Sequence, residues 1–457
     1  MTGWAALIPE GLLLAAALAA LFGGQLPFGD RGTALRAALF AGAAGVFAAF
    51  TRTGELFGGA LVFDATSTFV RAAVALMTAA WCLWLAGRDI GDERRAELVS
   101  LALFSSVGGM LLASAGDLVT LFLTVELSTM PAYVMMGYRR RDARSLEGAL
   151  KYFFLSLLTS LVTLYGLSFL YGLTGVTAYA GLSAAGTNTL GLLGAVLAFV
   201  GMFAKMSAAP FHFWAPDAYA GAPAASVAFV STVPKVAAMA AIVRLAAALL
   251  PGTPALIPMF AGAAALSMLW GNLAALPQTD LRRLMAYSGI AHSGYLLLGL
   301  VAHTETGYLA SVVYAVAYGV PSMAIMFVAA EEGSSLADLG GLAERRPWAA
   351  WSALVLLLSL VGVPPLLGFF GKLYLFGAAL DTGAVWIVVL ALGLSAVSAG
   401  YYFRVVYVMF MAKAPEGREP LAASVPATAG WALCVAVTAL LGVFASPLLQ
   451  AIGGKLP

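Results

Sequence analysis

Apolar stretches of about twenty residues, the length a helix needs to cross a hydrocarbon core, recur along this whole chain. They lie near residues 4–23, 33–50, 66–86, 98–114, 117–137, 146–171, 188–208, 223–249, 255–275, 283–302, 308–330, 348–378, 383–411 and 426–449. The 348–378 stretch is long enough to contain a break. A backbone in lipid must satisfy its own hydrogen bonds, so runs of this length fold as helices. The pattern predicts an all-α polytopic membrane protein with about 14 transmembrane helices in a lipid bilayer. Only 10% of the 457 residues are charged, against about 25% in a soluble domain. That is too few to coat a water-facing surface.

Lysine and arginine in the connections set the orientation. Alternate connections hold Arg31, then Arg88, Arg94 and Arg95, then Arg139, Arg140, Arg141 and Arg144. Further on they hold Arg282 and Arg283, Arg345 and Arg346, and Lys413 and Arg418. The opposite set, with both tails, holds Arg52 and Lys455. Fourteen against two predicts cytoplasmic basic connections and both termini on the outer side. The alternation also supports the count, because one missed span would scramble it. The first stretch, WAALIPEGLLLAAALAALFG, carries Glu10 and has no basic residue before it. It reads as a retained span rather than a cleaved signal.

A net charge of +2 gives no footing for nucleic acid. Cys82 and Cys434 lie far apart in apolar runs, with no CxxC or CxxCH. No iron–sulfur cluster, structural zinc or c-type haem is therefore expected in this chain. The sequence has neither a GxGxxG opening a helix after a strand nor a GxxxxGK[ST], so dinucleotide binding and ATP hydrolysis are not expected either.

Only six of the 24 basic residues are lysine, and four of those, Lys151, Lys205, Lys235 and Lys372, fall within predicted spans. Arginine keeps its proton at any accessible pH. A buried lysine can both hold and release one. A charge at the middle of a membrane costs roughly 2.5–3.5 kcal/mol, so each such lysine needs a partner, a wet cavity or a function. Glu10 and Glu126 are the acidic residues well within a span. Glu126 is the natural counter-charge for a buried lysine. Structural ion pairs or snorkelling are the alternative, most plainly for Lys151, which lies near a basic connection. Arg36, Arg71, Arg244 and Arg404, within spans or toward their ends, read mainly as anchors.

Helix breakers crowd two of these lysines. They are Pro210 in AKMSAAPFHFW and Pro364 and Pro365 in VGVPPLLGFFGKLYLF. Broken helices at membrane depth line cavities, and they recur at ion sites in transporters built from inverted repeats. Glu126 and Lys205 are 79 residues apart, and His292 and Lys372 are 80 apart. An offset of about 167 superposes two five-helix units, each with a broken helix. Five is odd, so the two repeats would lie inverted. The organisation expected is three N-terminal helices in 1–97, a first repeat in 98–250, a second in 251–414 and a last helix in 415–457. The offset sets His292 against Glu126, Tyr318 against Lys151 and Tyr402 against Lys235. One mismatch stands: the breaker follows Lys205 but precedes Lys372. His292 lies mid-span near Tyr287 and Ser288, as a relay group or a satisfied core histidine. His212 falls in the broken part of its span, as an entry group or a helix-end hydrogen bonder.

The stretches VELSTMPAYVMMG, SLEGALKYFFLS, FAKMSAAPFHFWAPDAYAGAP, LRRLMAYSGIAHSGYLLLGL and GVPPLLGFFGKLYLF resemble the antiporter-like subunit N (subunit-2 type) family of respiratory complex I, NADH-quinone oxidoreductase. The resemblance covers about residues 98–411 and fits fourteen spans. It implies proton translocation through a non-redox subunit, coupled to quinone reduction elsewhere in the complex. It implies Glu126 as the acidic partner, Lys205 as a switchable lysine, Lys235 as the central relay and Lys372 as the terminal lysine, with His292 on the polar axis between. Lys151, His212 and Tyr402 remain possible relay groups. No cofactor is implied in this chain; NADH, FMN, iron–sulfur clusters and quinone belong to partner subunits. The implied partners are two sibling antiporter-like subunits and small membrane subunits, in a bacterial inner membrane. A subunit of a multisubunit cation/proton antiporter, another redox-linked pump of ferredoxin or hydrogenase type, and a purely structural membrane subunit are the alternatives.

Overall fold

The structure is a computed structural model describing residues 3–22, 30–88, 94–139, 141–415, 424–451 and 453. It begins with α1 (Ile8–Phe22), α2 (Asp30–Ala49), a hairpin of β1 (Gly54–Leu56) and β2 (Leu61–Phe63), α3 (Ala65–Ala86), α4 (Arg95–Ala113), α5 (Leu118–Met136) and α6 (Ala143–Thr174). Next come α7 (Thr189–Met206), α8 (Trp214–Gly221), α9 (Ala224–Val230), α10 (Val233–Leu249), α11 (Leu256–Ala275), α12 (Leu281–Ala302) and α13 (Glu305–Glu332). The chain ends with α14 (Leu342–Arg345), α15 (Pro347–Val361), α16 (Leu367–Asp381), α17 (Val385–Met411), α18 (Val425–Val443) and α19 (Ala445–Ala451).

Thirteen helical stretches among the described residues are long and apolar enough to cross a membrane, with α9 and α10 taken together. Helices α15 and α16 have 15 residues each. At about 1.5 Å per residue neither spans a bilayer by itself. Together they occupy the long 348–378 stretch and bring the count to fourteen. The all-α polytopic architecture is as the sequence predicts.

Short polar residues start many of these helices. Asp64 accepts from the Ser67 amide at 2.7 Å, while Ser67 Oγ accepts from the Asp64 amide at 2.9 Å. Asp117 caps α5 through the Thr120 amide (2.6 Å), and Asp280 caps α12 through the Arg283 amide (3.1 Å). Each bond satisfies a backbone donor that a helix start leaves open. Several of the chain's few carboxylates are thus caps at span ends, which leaves few to neutralise charge inside.

Two helices are interrupted where the sequence predicts. Residues 207–213, containing Pro210, separate α7 from α8, and residues 362–366, containing Pro364 and Pro365, separate α15 from α16. Each break contains a cis X–Pro peptide. Pro131 and Pro321 lie inside continuous helices. A third interruption, at Ser231–Thr232, falls just before Pro234 and Lys235. Its cause is legible: a proline suits the first turn of a new helix, and Pro234 has no amide N–H to bond the Val230 carbonyl and carry α9 onward.

Contacts group the connections by end. Arg88 Nε and Arg346 Nη1 both bind Glu331, at 2.8 and 2.7 Å. Lys151 and Arg283 both bind Asp217, at 2.9 and 3.0 Å. A backbone bridge between Asp280 and Ser335 links these groups. At the opposite end Arg244 binds Asp64 (2.6 Å) and the Ala113 carbonyl (2.9 Å). Arg140, Arg418, Lys455 and the Arg31 side chain lie outside the described residues. Helices α10, α12 and α13 are buried almost throughout. The outer helices expose apolar side chains such as Leu14, Phe47, Leu158, Val389 and Leu440, which is the surface a hydrocarbon solvent requires.

One expectation needs correction. Arg71 is not an anchor reaching for the interface. It is fully buried and grips Glu10 of α1 with two bonds of 2.7 Å. The Ala6 carbonyl (2.6 Å) and Thr51 Oγ1 (3.3 Å) complete the shell. Glu10 is thereby accounted for as the partner of Arg71. Breaking a buried pair from one side strands the other charge, at a cost of about 3–5 kcal/mol. Arg71→Leu alone is expected to deplete the chain from the membrane fraction. Adding Glu10→Leu is expected to restore it, which quantitative blotting of the two strains checks.

Candidate functional site

Helix α5 carries Glu126, Thr129 and Tyr133 at i, i+3 and i+7, so all three share one face. Helix α6 presents Ser156 and Ser160 one turn apart. Lys205 sits in the last turn of α7, which Ser207 closes in a left-handed conformation (φ 58°). Its Nζ donates to Ser156 Oγ (2.7 Å), Tyr133 Oη (2.9 Å) and Thr129 Oγ1 (3.3 Å). Glu126 Oε1 stands farther off, at 3.4 Å, and accepts from Ser160 Oγ at 2.6 Å. Three hydroxyls hold the lysine more closely than the carboxylate does. A hydroxyl accepts from an ammonium and also donates to a neutral amine, so this nest suits either state. The carboxylate favours only the charged one.

Lys235 lies in the first turn of α10, just after the third interruption, and is 5% exposed. Its Nζ has no hydrogen-bond partner among the described residues. It lies 5.9 Å from the centroid of the Tyr219 ring. Across from it α12, α13 and α17 assemble a polar cluster. Tyr314 Oη is 2.8 Å from His292 Nδ1, and Tyr402 Oη is 3.2 Å from His292 Nε2. Tyr402 also bonds Ser288 Oγ. The Tyr318 ring stacks on the imidazole, with centroids 4.5 Å apart. His292 is therefore a satisfied histidine that is also the hub of a hydroxyl network.

The Tyr314 ring packs on Gly371, beside Lys372, leaving no room for a methyl group there. Lys372 is in the second turn of α16, beyond its break. Its Nζ reaches back to the carbonyls of Leu360 (3.1 Å) and Val361 (2.8 Å) and to Ser395 Oγ (2.7 Å). Those carbonyls are among the unpaired acceptors that a helix end offers to a cation. Gly362, at φ 98°, makes that end possible, since other residues rarely adopt this conformation. The two broken helices thus hold their lysines differently. Lys205 precedes its break and has a carboxylate and hydroxyls. Lys372 follows its break and has backbone carbonyls.

The structure brings Glu126 to Lys205, and Tyr402 to His292 within the cluster facing Lys235. It attaches the first break to the same region, because Ser293 Oγ donates to the Met206 carbonyl (2.5 Å). Lys151 is set apart. It is exposed and paired with Glu147 (2.8 Å) and Asp217 (2.9 Å). His212 is buried in the first break, with its ring against Phe213 and Trp270. Among the described residues no three His, Cys, Asp or Glu side chains converge as metal ligands do.

Residues 115–398 match the family described as NADH:quinone oxidoreductase/Mrp antiporter, transmembrane. The chain is 39% identical over 435 residues to NADH-quinone oxidoreductase subunit N of Jannaschia sp., covering 90% of this chain and 89% of that protein. It is 40% identical over 375 residues to the subunit N of Salinibacter ruber, covering 78% and 75%. The chain belongs to the subunit N family of NADH-quinone oxidoreductase. Among solved structures it resembles a chain of respiratory complex I from Thermus thermophilus with bound aureothin, at a TM-score of 0.85 and 32% identity, covering 97% of this chain and 99% of that one.

Sequence reasoning missed the residues that surround the charges. The i, i+3, i+7 spacing of Glu126, Thr129 and Tyr133 and the i, i+4 spacing of Ser156 and Ser160 were available as signals of a polar face. Tyr314 and Tyr318 on α13 have the same i, i+4 spacing, as do Ser288 and His292 on α12, and Ser395 precedes Tyr402 by seven residues on α17. Only tertiary packing brings these faces together around the lysines and His292.

Proposed function

We propose that this chain is a proton-translocating subunit of the membrane arm of complex I, acting without a redox group of its own. The observation that carries this reading is the set of buried switchable groups, Glu126–Lys205, Lys235, His292–Tyr402 and Lys372, each beside a helix break or a hub of hydroxyls. Membership in the subunit N family supports the coupling partner. NADH, FMN, iron–sulfur clusters and quinone then belong to other subunits, and the neighbours in the arm include two sibling antiporter-like chains and small membrane subunits. The alternating arginines support an orientation with the basic connections in the bacterial cytoplasm and both termini outside. Two inverted five-helix units, 98–250 and 251–414, give the two breaks equivalent places.

In this mechanism the Glu126–Lys205 pair opens and closes. Closed, the carboxylate holds the proton on Lys205. When a neighbouring subunit draws Glu126 away, only neutral hydroxyls and an apolar surround remain, and the proton passes on to Lys235. From there it moves through the His292 network to the amine of Lys372, and the Leu360 and Val361 carbonyls and Ser395 Oγ accept hydrogen bonds from the ammonium that forms. Ser395→Ala removes a bond to a charged group worth about 1.5–3 kcal/mol. It is expected to slow proton passage through this chain, measured as protons moved per electron in vesicles.

A tagged chain purified in mild detergent tests the assignment. Recovery of iron–sulfur subunits with NADH oxidation is the expected result. Recovery of small membrane subunits alone, with sodium-dependent proton exchange, would move the chain to the cation/proton antiporters that share its family.

A further inference from the structure

Gly289 lies one turn before His292 on α12 and is buried. A Cβ there would stand 2.8 Å from Tyr318 Oη and 3.1 Å from Lys235 Nζ. The two polar atoms therefore converge on one spot over this glycine, from α13 and from α10. Nothing about the backbone requires glycine at this position, which is mid-helix, where alanine is favoured by about 1 kcal/mol. What the missing side chain provides is room beside an ammonium that is nine-tenths buried and has no hydrogen-bond partner among the described residues. Tyr318 meanwhile touches both parts of the axis, with its hydroxyl facing Lys235 and its ring stacked on His292.

We propose that Tyr318 is a positioning residue for Lys235, and that position 289 decides whether the two can share a hydrogen-bonded contact on the way to His292. The ring braces the imidazole while the hydroxyl and Lys235 Nζ converge on the space over Gly289. A bridging hydroxyl at residue 289 is compatible with this contact, and an apolar group wedged between the two atoms is not. The inference rests on the relay reading of Lys235. It adds two residues, neither of which carries charge.

The test uses the assembled complex in vesicles, with protons moved per electron as the readout and recovery of the complex as the control. Gly289→Ala and Gly289→Ser add the same Cβ, and serine is the larger. If position 289 acts through space alone, serine does at least as much harm as alanine. The proposal predicts the reverse. Alanine lowers this chain's contribution roughly tenfold, as loss of one good hydrogen bond does, and serine keeps most of it. Tyr318→Phe, which preserves the stack on His292, lowers it similarly. Equal or greater harm from serine, or a native ratio in Tyr318→Phe, would overturn the proposal. A native ratio in Lys235→Ala would instead sink the relay reading on which it rests.

Discussion

Lys205→Ala stops proton passage through this chain and leaves the chain assembled. The groups that surround Lys205 have partners of their own. Tyr133 Oη donates to Ser156 Oγ at 2.7 Å and stands 3.3 Å from Thr129 Oγ1, and Ser160 holds Glu126 at 2.6 Å. Removing the lysine takes the counter-charge from Glu126, but that carboxylate is partly exposed and keeps its Ser160 bond, so the fold loses less than at the fully buried Arg71–Glu10 pair. What disappears is the group whose proton Glu126 controls. A positioned acid–base group contributes about 10²–10⁴-fold to proton transfer, so passage here falls by about 10²-fold or more. Proton uptake by vesicles during NADH oxidation, set against the amount of complex recovered, checks both halves. Glu126→Gln keeps the shape and the Ser160 contact but loses the charge, and is expected to weaken passage less than removal of the lysine.

Lys235→Ala is expected to have an effect of the same size for a different reason. Lys205 Nζ has four polar partners, whereas Lys235 Nζ has no bonded partner among the described residues. An unpaired buried ammonium contributes nothing to stability and carries a desolvation cost. Alanine removes that cost along with some methylene packing, so the complex is expected to form at native levels. A structural lysine would behave oppositely, with its loss disturbing assembly before it disturbed pumping. Recovery of the complex and protons moved per electron, measured on one preparation, separate the two cases.

Much of the fold is legible in the sequence because lipid enforces simple rules. The apolar run lengths lead to the membrane-length helices, thirteen among the described residues with one further stretch split into α15 and α16, and proline beside lysine marks both broken helices. The third interruption escaped because Pro234 lies at the start of its helix, where proline is as compatible with a helix start as with a break. Arg71 escaped because a buried arginine and an interfacial one look alike until the partner is known, and Glu10 lies 61 residues away. The charged members of the site were legible because each is rare within a span. Of their hydroxyl neighbours, Tyr402 and Ser288 were named, but Tyr314 and the hydroxyls around Lys205 were not, because serine and tyrosine are common in spans and only the packing of α12, α13 and α17 gathers Tyr314, Tyr318, Ser288 and Tyr402 around His292. The two lysines beside the breaks looked equivalent by spacing, yet one is held by a carboxylate and hydroxyls and the other by carbonyls. That difference depends on which side of the break each lysine occupies.

The central claim is that these lysines pass protons rather than merely carry charge. Lys235→Arg tests it most directly, because arginine keeps the positive charge and holds its proton to a pKa above about 12. The measurement is protons translocated per electron by the assembled complex. The account predicts a ratio as low as that of Lys235→Ala in a complex recovered at native levels. A native ratio with arginine at position 235 would contradict it, and would leave Lys235 as a fixed charge in the membrane.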